Sequence, residues 1–448
     1  MENQASFSLS LAHDQTPSPI TPPRAALALI DGEHYPSVVR DAFAELDYDI
    51  AAAVFLGGTE KLRGDPDYGV PLYHDLKDAI AREHVKVVLD LSDEPVVDSK
   101  RRFRLASQVL AAGLDYIGAD FHFEPVHFTP FELPSLAVIG TGKRVGKTAI
   151  SGHIARLLSK SREVIVVAMG RGGPAEPVLM ESVPTVYDLL ALSRSGVHAA
   201  SDYLEDAALA HVTTVGCRRC GGGFAGMPFV SNVEAGARVA ADRAPDLVIF
   251  EGSGSVIPPV EVRGRVLVAG ANQDPETVAG YLGAYRLLLS DLVILTMSEE
   301  PLASAEDVQR LRAAIADVKP DLPVIATVLR PRPVESIAGR RVAFFSTAPE
   351  AIHGRLREYL MQEHGAEVVL VSGNLARRPN LRADLDSAEA LSAEIYLVEI
   401  KAAAIDVVAE TAVERGVKIV FADNAVLPLE GEVALDERLL ALVDATRR

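Results

Sequence analysis

The stretch that decides the fold is SLAVIGTGKRVGKTAISGHIARLL, which runs from Ser135 to Leu158. Its first part is apolar and typical of a buried β-strand, and a helix is expected to leave the following loop at Thr148. The strict nucleotide-binding pattern GxxxxGK[ST] requires glycine at position 141, where this chain has threonine. Gly146, Lys147 and Thr148 fit the pattern, and strand–loop–helix is the context in which the motif occurs. The sequence therefore predicts a phosphate-binding loop.

This loop is expected to hold the phosphates of ATP together with Mg²⁺. Successive backbone N–H groups and the N-terminus of the following helix cradle phosphate oxygens. Lys147 would reach the β- and γ-phosphates, and the Thr148 hydroxyl would bind Mg²⁺. No base-reading motif is visible, so the sequence leaves the choice between ATP and GTP open. The predicted nucleotide-binding residues are Thr141, Gly142, Lys143, Arg144, Val145, Gly146, Lys147 and Thr148.

Outside this stretch, short apolar runs alternate with longer helix-like segments from Ala25 onward, a pattern typical of βαβ units and parallel sheets. The predicted fold class is α/β, with a central P-loop NTPase domain between two Rossmann-like domains. The Ser- and Pro-rich start lacks the features of a secretory signal and is expected to be a flexible tail. The predicted division is a tail at 1–24 and domains at 25–130, 131–335 and 336–448.

The composition excludes several classes of protein. The chain has 448 residues with 44 basic and 62 acidic side chains, and its net charge of −18 argues against nucleic-acid binding by bulk electrostatics. Hydrophobic residues make up 48%, enough for a core, yet no apolar run reaches the roughly 18 residues of a membrane-spanning helix. Two cysteines cannot form a disulfide framework. We therefore expect a cytoplasmic protein that acts on neither nucleic acid nor membranes.

A second buried strand ends in an acidic residue. The segment PDLVIFEGSGS places Glu251 and Gly252 at the end of an apolar run. Together with GT-xxxx-GKT, this strand end resembles the dethiobiotin synthetase and cobyrinic-acid amidase branch of P-loop enzymes, which place an acidic residue near Mg²⁺ at this point. The predicted metal ligands are therefore Thr148 and Glu251. The alternative is that Glu251 only caps a helix or belongs to a loop.

Glycine-containing loops concentrate basic side chains in this acidic chain. MGRGGP carries Arg171, VGCRRCGGGFAG carries Arg218 and Arg219, and the phosphate loop adds Lys143 and Arg144. The carboxyl ends of parallel strands are where such sheets bind ligands, and arginine pairs bidentately with phosphate. The set is predicted to bind a second, phosphorylated substrate, although any single arginine could be a solvated loop residue.

The same segment contains a C-x-x-C pair, Cys217 and Cys220. Zinc normally needs four ligands, and His211 alone does not complete a site. A redox pair would have thiolates stabilised by the neighbouring arginines. We expect neither role and interpret both cysteines as small apolar residues in a tight loop.

Polar residues also follow strands in the outer blocks. DGEHYP brings Asp31, Glu33 and His34 to the end of the first strand, where they are predicted to help bind substrate. The alternative for Asp31 is helix capping. Near the C-terminus, SGNLARRPNLRADL brings Arg377 and Arg378 to another strand end, either as a second anion site or as a contact between domains.

The chain resembles the cyclic 2,3-diphosphoglycerate synthetase family through DGEHYP, GTGKRVGKTA, GCRRCGGG, EGSGS and SGNLARRP, which span almost everything after the tail. The resemblance implies a homodimeric ATP-dependent ligase. Mg²⁺-ATP and 2,3-diphosphoglycerate would give cyclic 2,3-diphosphoglycerate, ADP and phosphate through a phosphorylated intermediate. The implied catalytic residues are Lys147, Glu251, Arg171, Arg218 and Arg219, of which the three arginines, with Lys143, would hold the bisphosphate.

Two other functions stay open. One is a different ligase or kinase of the dethiobiotin synthetase branch that acts on another anionic metabolite. The other is a nucleotide-driven switch that controls a protein partner. Such switches often carry lysine directly after the first residue of the loop, where this chain has Gly142 and places Lys143 one position later. Turnover that depends on a phosphorylated acid would favour the synthetase.

Overall fold

The computed structural model describes residues 24–62, 64 and 66–445. The predicted tail at 1–24 lies outside these residues except for Arg24. The described chain divides into two compact units. The first contains the described residues up to Val97 together with Tyr116–His122, and the second contains Asp98–Asp115 and the described residues from Phe123 onward.

The sheet of the first unit is open and doubly wound. Its order is 3-2-1-4-5-6 in chain numbering, and the first strand pairs in parallel with the second and the fourth. This reversal of order beside the first strand is the Rossmann-like arrangement predicted for the block. The elements are β1 (Arg24–Ile30), α1 (Pro36–Glu45), β2 (Tyr48–Phe55), β3 (Leu72–Tyr73), α2 (Leu76–Arg82), β4 (Val87–Asp90), β5 (Asp115–Ile117) and β6 (His122–Phe123).

The second unit is built on a single sheet that, within the described residues, contains thirteen strands. They are β7 (Ser135–Gly140), β8 (Val164–Gly170), β9 (Val178–Met180), β10 (Thr213–Cys220), β11 (Val230–Ser231), β12 (Leu247–Glu251), β13 (Gly264–Gly270), β14 (Leu292–Thr296), β15 (Val324–Pro333), β16 (Arg341–Phe345), β17 (Glu367–Ser372), β18 (Ile395–Glu399) and β19 (Lys418–Pro428). Their order is β11-β10-β8-β12-β7-β13-β14-β15-β19-β18-β16-β17, and β9 pairs with β10.

Helices cover this sheet. They are α3 (Ser99–Ala111), α4 (Lys147–Leu158), α5 (Val186–Arg194), α6 (Asp202–Ala210), α7 (Val233–Ala241), α8 (Pro275–Ala279), α9 (Gly283–Leu289), α10 (Ala305–Val318), α11 (His353–His364), α12 (Arg378–Leu385), α13 (Ala388–Ser392), α14 (Glu410–Arg415) and α15 (Leu435–Ala445). A 3₁₀ turn at Glu350–Ile352 precedes α11, and a π-helical turn at Ala404–Ala409 precedes α14. None of the helices in the described part of the chain is long and apolar enough to cross a membrane.

The central strands are buried on both faces. Every residue of β7, β8, β12 and β14 is buried, as expected for parallel strands covered by helices on either side. Ile150 and Ile154 of α4 pack on Leu136 and Val138 of β7 in the same apolar cluster. This packing fixes the start of α4 at the end of β7, and the predicted α/β class is confirmed.

Two segments extend strands of this sheet. The Pro-rich run LRPRPVESIAGRR (residues 329–341) lies at the predicted boundary between the second and third blocks, and β15 continues into it. The start of β15 pairs in parallel with β14, whereas Thr327–Pro333 pairs antiparallel with β19, so one sheet joins the second and third blocks. The three-domain division remains a prediction. The segment VGCRRC is predicted to be a loop, but it forms the end of β10 because it pairs with β8.

Candidate active site

A cavity of about 1140 Å³ lies within the second unit. Part of its wall comes from the residues that follow β7, β8 and β12, and another part comes from those that follow β16, β17 and β18. The carboxyl ends of parallel strands are where α/β sheets bind ligands. The C-terminal region therefore shares one cavity with the phosphate loop.

The phosphate loop is shaped by glycines at both ends. A Cβ on Gly140 would lie 2.7 Å from Cδ of Lys147, so only glycine lets the lysine cross the strand end. Gly146 adopts a φ of +90° immediately before α4, a conformation that favours glycine. The Nζ of Lys147 donates to the carbonyl of Gly142 at 2.7 Å. The lysine is thus held over the loop that is predicted to bind phosphate.

Threonine in place of the first motif glycine has a visible structural role. The hydroxyl of Thr141 donates to Oε1 of Gln273 at 2.6 Å, and the same oxygen accepts from the N–H of Gly270. The carbonyl of Val145 accepts a hydrogen bond of 2.7 Å from Thr296. These bonds tie the loop to the ends of β13 and β14, which restricts its motion before any phosphate binds.

Glu251 ends β12 beside the start of α4. Its side chain is 1% exposed, and Oε2 has no hydrogen-bond partner among the described residues. Burial, aided by the charge of the neighbouring Asp202 and opposed by hydrogen bonding with Thr148, raises the pKa of Glu251 to about 7. A hydroxyl and a buried carboxylate with an unused oxygen are hard ligands of the kind Mg²⁺ prefers.

The ligands of Mg²⁺ would come partly from protein side chains and partly from substrate phosphates and water. In the described part of the chain, no group of three or more His, Cys, Asp or Glu side chains is arranged to hold a metal by itself. Mg²⁺ commonly takes one or two protein ligands and completes its shell with substrate phosphates and water. Thr148 and Glu251 fit that pattern, and their assignment as ligands stays a prediction.

Helix α6 supplies acidic residues that the sequence analysis missed. Asp202 and Glu205 line the same cavity as the phosphate loop, and Glu205 and Asp206 are almost completely buried. Burial, followed by the charges of Glu251 and Glu205, raises the pKa of Asp206 well above its ordinary value. Burial likewise raises the pKa of Glu205 to about 8. Three carboxyl groups in the otherwise apolar segment SDYLEDAALA were the signal available in the sequence.

These carboxyl groups influence Lys147. Burial lowers the pKa of Lys147 to about 8, while the charges of Glu251 and Asp202 oppose that shift. The ammonium group therefore stays mostly protonated at neutral pH. Glu251 and Asp202 thus help preserve the positive charge that phosphate binding requires.

The three predicted arginines occupy different positions. Arg171 lines the cavity after β8 and makes no hydrogen bond or ion pair with the described residues. Arg219 lies behind the wall, where its guanidinium donates to the carbonyls of Gly221 and Ser253, each at 2.9 Å. Arg218 is exposed on β10 and does not line the cavity. Arg171 is therefore the one of the three with direct access to a cavity ligand.

Other basic side chains line the cavity. Lys143 and Arg144 extend from the phosphate loop, and Arg377 reaches it from the segment after β17. Arg378 instead pairs with Asp406. The sequence did not assign separate roles to these two neighbouring arginines. In the structure, Arg377 lines the cavity and Arg378 makes an ion pair.

The first unit brings Asp31, Glu33 and His34 together at the end of β1. Asp31 is fully buried and accepts hydrogen bonds from the backbone N–H groups of Glu33 and Asp93, and its Oδ1 lies 3.0 Å from Nδ1 of His34. A Cβ on Gly32 would lie 2.2 Å from the carbonyl oxygen of Gly58, so glycine permits the two loops to meet. Asp31 thus organises this edge, and the substrate role of the three residues stays a prediction.

The cysteines do not form a disulfide. Cys217 is buried and Cys220 is exposed, and both are free. Burial raises the pKa of Cys217 to about 12, which keeps its thiol protonated at neutral pH. Cys217 packs against Gly236 of α7, as expected of a small apolar residue.

Three protein-family models match successive segments of the chain. The model described as "Cyclic 2,3-diphosphoglycerate synthetase, P-loop domain" matches residues 135–328. Models of the N-terminal and C-terminal domains of the same synthetase match 25–124 and 333–425. These matches confirm the predicted central P-loop domain.

Similar proteins bear the same name. The chain is 53% identical over 438 residues to cyclic 2,3-diphosphoglycerate synthetase of Rubrobacter xylanophilus, covering 94% of this chain and 98% of that protein. It is 43% identical over 444 residues to the synthetase of Methanothermus fervidus, covering 93% and 96%. A solved structure of LpxK from Aquifex aeolicus with ATP aligns with 71% of this chain and 90% of that one, at 13% identity and a TM-score of 0.42.

The buried carboxyl groups predict a pH dependence of stability. A carboxyl group whose pKa is raised on folding stabilises the fold below its ordinary pKa, and that contribution is lost as pH rises through the folded value. The nucleotide-free protein should therefore lose stability between pH 5 and 8, the window given by Glu205. Glu205→Gln should reduce this loss by at least about 3 °C in melting temperature.

Thermal unfolding at pH 5.5 and 8 measures this effect. Glu437→Gln, on an exposed position of α15, serves as the control and should leave the pH dependence unchanged. An unaltered pH dependence in Glu205→Gln would show that Glu205 does not carry a raised pKa.

Proposed function

The chain belongs to the cyclic 2,3-diphosphoglycerate synthetase family, and we propose that it closes 2,3-diphosphoglycerate into cyclic 2,3-diphosphoglycerate at the expense of ATP. The protein is an ATP-dependent synthetase with a P-loop domain. The observation that carries the proposal is one cavity with two anion-binding features. The phosphate loop with Lys147 would serve ATP, and Arg171 beside it would serve a second phosphorylated molecule.

The proposed reaction has two balanced steps. An oxygen of one substrate phosphate attacks the γ-phosphorus of ATP, the bond between that phosphorus and the β,γ-bridging oxygen breaks, and ADP leaves. An oxygen of the other substrate phosphate then attacks the activated substrate phosphorus. The bond from that phosphorus to the oxygen shared with the former γ-phosphoryl group breaks, and inorganic phosphate leaves. The new bond closes an intramolecular pyrophosphate ring.

The charges in the cavity match the demands of this chemistry. Attack of one phosphate on another is opposed by accumulated negative charge and needs no strong base, because the nucleophile is already ionised. Cationic positioning is therefore the main requirement. Lys147 would neutralise the transferred phosphoryl group, and Arg171 with Lys143 would hold the acid substrate. When bound by Thr148 and Glu251, Mg²⁺ would screen the phosphates of ATP.

Arg218 and Arg219 have different roles in the proposed site. Arg219 contributes positive charge and supports the backbone at Ser253, one residue before the loop approaches Arg171. Arg218 keeps the substrate role predicted from the sequence without a contact that supports it. The homodimer and the cytoplasmic location also remain proposals, which light scattering of the purified protein and cell fractionation would test.

Phosphorus NMR tests the reaction directly. Purified protein with Mg²⁺-ATP and 2,3-diphosphoglycerate should produce two upfield pyrophosphate-type resonances in step with ADP and free phosphate. ADP formation without these resonances would contradict ring closure and favour a kinase or a switch. Turnover that requires a different anionic metabolite would favour the other ligase of this branch.

The predicted role of Arg171 in substrate binding can be tested with a surface arginine as the control. Arg171→Ala should raise the KM for 2,3-diphosphoglycerate at least about tenfold, because a charge-assisted phosphate contact is lost. The affinity for ATP should change less than about threefold, since the phosphate loop is intact. Arg243→Ala removes an exposed ion pair with Glu181 and is the matched control.

The same kinetic series should include Arg218→Ala and Arg219→Ala. A raised KM for either variant would support its predicted part in substrate binding. An unchanged KM in Arg171→Ala would remove Arg171 from the substrate site.

A further inference from the structure

Two glycine-rich loops beside the cavity are held by a buried arginine from α9. Arg286 is 6% exposed, although it is far in sequence from both loops. Its Nε and Nη2 donate to the carbonyl of Ser255 at 3.0 and 2.8 Å, and Nη2 also donates to the carbonyl of Phe224 at 3.2 Å. Nη1 donates to Leu282 in its own helix region at 3.0 Å. One guanidinium therefore joins the loop after β12 to the loop after β10.

Both loops lead directly to residues of the candidate site. The Ser255 loop begins at Glu251, the proposed Mg²⁺ ligand, and the Phe224 loop follows Arg219. Arg219 in turn donates to the carbonyl of Ser253. Hydrogen bonds from Arg219 and from Arg286 thus connect the two loops at two places.

Close backbone approaches make this arrangement specific. A Cβ on Gly226 would lie 3.1 Å from Nη2 of Arg286 and 3.0 Å from the carbonyl oxygen of Ser255. A Cβ on Gly254 would lie 2.7 Å from Nη2 of Arg171. Glycine at both positions lets an arginine reach the backbone, and a shift of the Ser255 loop would move the surface on which Arg171 rests.

The charge of Arg286 has no carboxylate partner among the described residues, and its recorded hydrogen bonds go to backbone carbonyls. Burial lowers its pKa to about 10, so the guanidinium remains charged at neutral pH. Arg219 also donates to backbone carbonyls, whereas Arg171 is exposed, and the acidic side chain whose charge acts on both is Asp202. A buried cation without an ion-pair partner is costly, and the carbonyls that accept from Arg286 offset part of that cost. The exposed positive charge of Arg171 beside this loop favours the binding of an anion there.

We propose that Arg286 is a positioning residue for the acid-substrate side of the site, which sets the loop between Glu251 and Val256 for a phosphomonoester dianion held at Arg171. Arg286 does not touch the substrate. Its planar fork fixes two loops at once, a geometry that the single ammonium of lysine cannot reproduce. The identity of the ligand in this inference rests on the proposed function. The positioning role of Arg286 rests on its hydrogen bonds alone.

Arg286→Lys is the primary test because it keeps the charge and removes the fork. Amide hydrogen exchange should accelerate at Gly223, Gly226, Val256 and Ile257, whose N–H groups are hydrogen-bonded within or between the two loops. Exchange in the phosphate loop should stay unchanged. The KM for 2,3-diphosphoglycerate should rise at least about tenfold, with a nucleotide affinity, measured without added metal, within about twofold of the parent protein.

Arg265→Lys is the matched control. Arg265 is a half-buried arginine at the start of β13, away from the carboxyl ends of the strands, and its guanidinium stacks on Phe128. It should share any general cost of replacing a buried arginine without altering exchange in the two loops or the KM. Arg286→Met serves as a second variant and should show the same pattern more strongly.

The outcomes separate the two proposals. Unchanged exchange in both loops of Arg286→Lys would overturn the positioning role, whatever the activity. Faster exchange across the whole protein, together with equal loss of nucleotide and acid binding, would show a general structural role and would also overturn it. Local acceleration in Arg286→Lys, together with a parent protein that makes no cyclic product, would support the positioning and refute the proposed reaction.

Discussion

The candidate site depends on the pairing of β8, β12 and β7 as adjacent parallel strands. Backbone pairing of β12 with both neighbours brings the ends of all three strands to the same edge of the sheet. The phosphate loop, Glu251 and Arg171 follow these strands directly, so their proximity is a consequence of register. Every residue in the three strands is buried, and a slip by one residue would exchange the side chains that pack on the two sides of the sheet.

Charge is balanced differently on the two sides of this edge. On the side of the phosphate loop, the charges of Glu251 and Asp202 favour the protonated form of Lys147, and burial raises the pKa values of Glu251 and of the α6 carboxyl groups, which limits the negative charge that they add. Beside the loop after β12, Arg171 is exposed and lines the cavity, and Arg219 and Arg286 donate to backbone carbonyls. One side thus supports a lysine, whereas the other presents an arginine to the cavity. This asymmetry suits a site where a nucleotide meets a second polyanion.

The sequence identified those candidate site residues that lie in contiguous strand–loop segments. Lys147, Thr148 and Glu251 stand at the ends of apolar strands, where strand, loop and side chain are visible together. Asp206 and Arg286 were missed because their roles arise from contacts between segments distant in the chain, and a helix that carries acidic residues normally indicates an exposed face. The sequence also did not show that the C-terminal region joins the same sheet: Pro331 and Pro333 lie at the predicted boundary, and β15 pairs with β19 there. In the first unit, DGEHYP suggested binding; the structure shows Asp31 engaged with backbone groups of its own unit, and the binding role stays a prediction.

The central claim is that a substrate phosphate is activated by ATP in the shared cavity and then displaced by its neighbour. Oxygen tracing tests this claim most directly, with 2,3-diphosphoglycerate carrying ¹⁸O in its phosphoryl groups and unlabelled ATP. The account predicts that each inorganic phosphate released contains one ¹⁸O atom from the acid, seen as an isotope-shifted phosphorus resonance. Inorganic phosphate that carries no oxygen from the substrate would contradict the account, because it would mean that water and not the bound acid receives the phosphoryl group.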